Sequence, residues 1–155
     1  TDWLGLVPVC FVLGFGLLGL VQLIRRRSLR KVDPDILLLG GFYILVLGAY
    51  LLFEELAVNY RPILIDGYLE ASYPSSTTLL ALCVIPTGML QLHARLQSRA
   101  PRRLLMVLLG AFTGFMVIGR LLSGVHWLTD IIGGVLLSAG LVPLYQGLSG
   151  QTPTR

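Results

Sequence analysis

Long apolar runs alternate with short polar connectors along this chain, and the runs have the length that matters in lipid. A membrane-spanning helix needs about 20 mostly apolar residues. Five stretches meet that measure, from about Trp3 to Ile24, Ile36 to Phe53, Thr78 to Leu96, Leu104 to Leu122 and Trp127 to Gly147. The expected fold is therefore all-α, a polytopic transmembrane helix bundle of five spanning helices. No internal repeat or low-complexity linker divides it, so residues 1–155 are expected to form one integral membrane domain. Pro86 interrupts the third span and is expected to kink it. Gly110 with Gly114, and Gly134 with Ser138, form small-xxx-small pairs that let helix backbones approach closely in lipid.

Composition agrees with the pattern. Only 13% of residues are charged, about half the usual share of a soluble domain, and mean hydropathy is +0.80. The location of the charge sharpens the reading more than the net +4 does. Five of 12 Lys and Arg fall at Arg25, Arg26, Arg27, Arg30 and Lys31, and four more at Arg95, Arg99, Arg102 and Arg103. Both clusters abut apolar spans, as cytoplasmic loops do under the positive-inside rule. Neither has interleaved aromatics, so they predict topology rather than a nucleic-acid partner. The first segment begins with Thr1, Asp2 and Trp3 and ends in an arginine cluster, the reverse of a secretory signal. Orientation follows, with the N-terminus outside and the C-terminus inside. The 54–77 connector and the 120–127 turn then lie outside, and each carries one Arg, Arg61 and Arg120. The lipid bilayer is the expected surrounding. Cys10 and Cys83 lie within spans and are expected to pack inertly.

The chemistry-bearing residues gather at that outer face. Arg120 is followed six residues later by His126, and Asp130 comes four residues after that. If the fifth helix starts near His126, the two share a helix face. A carboxylate one turn into an apolar helix is costly unless paired. Paired with His126, it would fix the ring tautomer and leave the other nitrogen as nucleophile or base. The spacing fits a structural His–Asp cap as well. Pro74-Ser75-Ser76-Thr77 enters the third span, where free backbone N–H groups and the helix dipole favour an anion. Ordinary N-capping by Ser or Thr explains the same residues. Arg61 and Arg120 suit bidentate phosphate recognition. No cluster of Cys, His and carboxylates suggests a metal, and no cofactor is expected. His93, at the far end of the third span, reads as a solvated helix-end residue. Glu54, Glu55 and Asp130 stand at helix ends and the span centres are nearly uncharged, which disfavours a transporter.

The segment Arg120-Leu-Leu-Ser-Gly-Val-His126-Trp-Leu-Thr-Asp130 resembles the third signature of the type 2 phosphatidic acid phosphatase (lipid phosphate phosphatase) family, Ser-Arg, five residues, His, three residues, Asp. Arg61-Pro62 resembles the end of the first signature, and Pro74-Ser75-Ser76-Thr77 the second, Pro-Ser-Gly-His. The likeness covers roughly residues 36 to 147. It implies a metal-independent phosphatase in which His126 attacks phosphorus and Asp130 orients it. Arg61, Arg120 and the N-terminal groups at Ser75, Ser76 and Thr77 would bind the phosphoryl oxygens. The implied partner is a lipid phosphate or a polyprenyl diphosphate.

Three positions depart from the family. Glu54 stands where the first signature has Lys, Thr77 where the second has its general-acid His, and Gly119 where the third has Ser. The family usually has six helices, so a helix preceding the first span is expected to be missing here. General acid catalysis typically contributes 10²–10⁴-fold. Two readings follow. The substrate is a lipid diphosphate, whose phosphate leaving group needs less protonation than an alkoxide, or the chain is a degenerate relative that binds lipid phosphates without turnover.

Overall fold

A computed structural model describes residues 3–150. A single 3-10 turn, Trp3–Gly5, leads into α1 (Leu6–Arg26). Then follow α2 (Pro34–Leu56), α3 (Ser76–Arg95), α4 (Arg99–Leu122) and α5 (Leu128–Ser149). All five helices are long and apolar enough to cross a membrane, and among the described residues the backbone pairs in strand fashion only at isolated bridges. The chain is an integral membrane protein with an all-α fold.

The helices overrun the expected spans at their polar ends. α4 begins at Arg99 rather than near Leu104, and α2 continues through Glu54 and Glu55 to Leu56. Hydropathy marks where lipid begins, whereas the backbone ladder carries a helix on into the interfacial zone. α3 also runs on through Pro86 to Arg95.

α3 is the central element. More than half of its span is buried, while the other four helices mostly face outward. One side of α3, with Leu79 and Cys83, packs against Leu39, Phe42 and Val46 of α2 and Tyr145 of α5. The other side, with Ala81 and Ile85, meets Leu109 and Met116 of α4. On α1, Leu13, Leu17, Leu20 and Ile24 form an exposed stripe suited to lipid. Cys10 is exposed on that helix, and Cys83 is in the core.

Thr87, Gln91 and Ser138, buried polar residues within the spans, find partners, as lipid requires. Thr87 donates to the Cys83 carbonyl at 2.7 Å, and Gln91 Nε2 donates to the Tyr145 hydroxyl at 2.7 Å. Ser138 donates to the Gly134 carbonyl at 2.7 Å, and a Cβ at Gly134 would lie 3.1 Å from the Thr78 methyl. That small-xxx-small pair therefore sits at the α3–α5 contact. Gly110 and Gly114 do not behave as expected. A Cβ at either would meet nothing within 4 Å. The buried face of α4 runs through Leu109, Thr113, Met116 and Arg120, one residue out of phase with the glycines.

Candidate active site

Because consecutive helices run in opposite directions, the ends of α2 and α4 meet the starts of α3 and α5 at one membrane face. The α1–α2 and α3–α4 turns, with exposed His93, lie at the other.

The 57–75 connector is not the plain polar loop that composition suggested. It folds back on itself as a short hairpin. Asp66 and Gly67 both have positive φ, +49° and +83°, and Ile65 and Tyr68 exchange backbone hydrogen bonds of 3.0 and 2.9 Å across them. Asp-Gly with two left-handed residues is the preferred chemistry for a tight hairpin turn. Further along, Arg61 N–H donates to the Glu70 carbonyl at 3.0 Å, and Ser72 N–H to the Asn59 carbonyl at 2.8 Å. The Trp127 indole donates to the Tyr60 carbonyl at 2.8 Å, which ties the hairpin to the start of α5.

α5 begins at Leu128, so His126 precedes the helix and does not share a helical face with Asp130. The two residues meet across the helix cap instead. Asp130 is fully buried near the helix N-terminus, where a carboxylate is favoured. Its Oδ2 accepts the Trp127 N–H at 2.9 Å, and its Oδ1 accepts from Asn59 Nδ2 at 3.1 Å. The same Oδ2 lies 3.5 Å from His126 Nδ1. That separation is too long and poorly aligned for a good hydrogen bond, and Nδ1 makes none.

The other ring nitrogen, Nε2, lies 3.4 Å from Arg61 Nη1. Arg61 is always a donor, so this contact and the carboxylate beside Nδ1 both favour the tautomer with its proton on Nδ1. Nε2 then carries a lone pair. Burial pushes the His126 pKa below its ordinary 6.5, and the charges of Arg61 and Arg120 act in the same direction against Asp130. These surroundings favour the neutral imidazole over the protonated one.

Arg61 has a second partner. Its Nε lies 3.0 Å from Glu70 Oε2, although no N–H points along that line, so the contact is an ion pair rather than an aligned hydrogen bond. Arg120, in the last turn of α4, is buried and close enough to depress the His126 pKa.

His126 and Arg61 open on a cavity of about 320 Å³, whose wall also includes Tyr50, Glu54, Glu70, Tyr73 and Ser76. A larger apolar groove of about 560 Å³ lies between α1 and α2 and shares no lining residue with this cavity. Of the three expected residues at the start of α3, only Ser76 lines the polar cavity. Ser75 is the N-cap. Its hydroxyl accepts from the Thr78 N–H at 3.4 Å and the Thr78 hydroxyl at 3.1 Å, and its own N–H donates to the Asp130 carbonyl at 3.1 Å. Those commitments leave the Ser75 N–H unavailable to an anion, and Thr77 is buried beside it. Asn59 and Glu70 escaped the sequence reading. The Asp66-Gly67 turn signal was the clue that would have paired Glu70 with Arg61.

Membrane-length helices, with His126 and Arg61 lining a polar cavity at one face, define an integral membrane protein with a polar pocket beside its helix ends. The sequence model of the PAP2 superfamily matches residues 7–149, and the chain belongs to that superfamily. No curated protein matches it in sequence. Among solved structures it is similar to a transmembrane PAP2-type phosphatidylglycerolphosphate phosphatase from Bacillus subtilis. That similarity has a TM-score of 0.61 at 22% identity and covers 99% of this chain and 80% of the other.

Proposed function

We propose that the chain is a membrane lipid-phosphate or lipid-diphosphate phosphatase acting at the non-cytoplasmic face through a phosphohistidine intermediate. The observation that carries this reading is buried His126, with Asp130 behind Nδ1 and Arg61 in front of Nε2. The family supports a phosphatase function. The solved neighbour is described as acting on a lipid phosphate, phosphatidylglycerolphosphate.

In the proposed reaction Nε2 attacks phosphorus while the bond to the leaving oxygen breaks. The imidazole becomes a phosphorylated cation, and the buried Asp130 carboxylate stabilises that charge through Nδ1–H. Water then attacks phosphorus, the N–P bond breaks, and phosphate leaves with neutral His126 restored. Arg61 and Arg120 neutralise charge on the transferring group, the main demand in phosphoryl transfer. The Ser76 N–H at the start of α3 is the remaining candidate donor there.

The leaving oxygen must also be provided for. Thr77 is buried and does not line the cavity, so no side chain stands at the general-acid position of the second signature. A lipid diphosphate suits this site, because departing phosphate needs less protonation than an alkoxide. A polyprenyl diphosphate of a bacterial plasma membrane is the substrate class this reading favours.

The test is phosphate release in detergent with EDTA, from a polyprenyl diphosphate and from phosphatidic acid. Wild type should release phosphate faster from the diphosphate, and His126→Ala should lose at least about 10³-fold, the scale of removing a catalytic nucleophile. Unchanged release in His126→Ala would reject the mechanism. Binding of either lipid with no release by folded wild type would support a degenerate binder instead.

A further inference from the structure

We infer that Glu70 is a positioning residue that aims the Arg61 guanidinium at the phosphoryl site, an inference that rests on the proposed phosphatase reading. By simple electrostatics Glu70 is misplaced. A carboxylate in the wall of an anion cavity repels the anion, and at a few ångströms such repulsion is substantial even near a protein surface. The hairpin nevertheless fixes Glu70 directly beside Arg61. The backbone of Arg61 donates to the backbone of Glu70 at 3.0 Å, and the Arg61 Nε lies 3.0 Å from Glu70 Oε2. The two side chains differ in exposure, 16% for Arg61 against 47% for Glu70. Both line the cavity, with the carboxylate the more solvent-exposed of the two and the guanidinium the more buried.

The geometry divides the guanidinium between two duties. Glu70 engages the Nε edge, while Nη1 reaches to 3.4 Å from His126 Nε2. The Nη edge remains turned toward the position an attacked phosphorus would occupy. Arg61 needs such a restraint because it stands on a connector rather than on a helix. It also precedes Pro62, which contributes no N–H to the hairpin ladder. A long side chain on a loop has several rotatable bonds to fix, and misplacement of about 1 Å can cost 10²-fold in rate. The carboxylate restrains those bonds. Asn59 plays a parallel part on the opposite limb, where its amide holds Asp130 Oδ1 at 3.1 Å.

Charge and positioning predict opposite signs, which makes the inference testable without turnover. The probe is orthovanadate, a phosphoryl-like oxyanion, titrated calorimetrically into the detergent-solubilised chain. Glu70→Ala should weaken vanadate binding about tenfold, within the range of coupling between contacting residues. Glu70→Gln, which keeps the shape and removes the charge, should also weaken it. In an Arg61→Ala background, Glu70→Ala should no longer weaken binding, because nothing remains to be aimed and only the carboxylate's repulsion is removed. Tighter binding in Glu70→Ala would make Glu70 a competitor for Arg61 and overturn the inference. An equal loss in both backgrounds would make it a fold determinant and overturn it too. Should Glu70→Ala fail to elute as a monodisperse peak, Glu70→Gln alone decides by the sign of its effect. If wild type binds vanadate and Glu70→Ala matches it, only the positioning role falls. If wild type neither binds vanadate nor releases phosphate, the phosphatase reading falls with it.

Discussion

His126 owes its proposed reactivity to a balance among three charged neighbours. Arg61 and Arg120 oppose its protonation, Asp130 favours it, and burial tips the result toward the neutral ring. The sign of the pH dependence follows. Protonation of Nε2 removes the nucleophile, so kcat/KM should fall on the acid side only below the ordinary 6.5. Arg61→Gln removes one depressing charge and should move that acid limb upward while lowering the rate. A pH–rate series on both proteins checks this, and an acid limb above 6.5 in wild type would contradict the assigned surroundings. His126 and Asp130 were legible because their spacing is local. Asn59 was not, because it reaches Asp130 across 71 residues of chain and polar loop residues carry no period that announces such a partner. Ser75 was legible in place but not in task, since capping and anion binding draw on the same residue types.

At the scale of elements, five spans could be read because each must satisfy its own backbone in lipid and so shows a long apolar run. Their ends could not, because charged residues such as Arg99 to Arg103 remain helical beyond the apolar zone. Glycine pairs allow close approach without stating which face approaches, so Gly134 met α3 while Gly110 and Gly114 met open space. Gly133 exposes the link between packing and site. A Cβ there would overlap the Tyr73 ring, which walls the cavity and packs edge-on against Phe53 at 5.6 Å. Asp130 lies three residues earlier on the same helix. Gly133→Ala should cost about 1–3 kcal/mol by overpacking and reduce phosphate release. Gly110→Ala should be neutral or stabilising, since it adds helix propensity without a clash. Thermal midpoints and release rates for the pair decide the matter, and equal effects would refute this account of the α5 contact.

For the whole molecule, the proposed orientation places the hairpin and His126 outside and the two basic turns in the cytoplasm. Cysteine labelling of intact cells gives a direct reading. In a chain freed of Cys10 and Cys83, Asp66→Cys should react with an impermeant maleimide from outside. Lys31→Cys should react only after permeabilisation, and the reverse pattern would invert the topology. Orientation decides which leaflet supplies the substrate, but the central claim is chemical. It is that His126 accepts the phosphoryl group. The most direct measurement is rapid acid-free quenching of the chain with a terminally ³²P-labelled polyprenyl diphosphate, followed by peptide mapping. The account predicts a transient, base-stable and acid-labile label on the peptide containing His126, and none in His126→Ala. Turnover by wild type with no enzyme-bound label at any quench time, or label retained in His126→Ala, would contradict it.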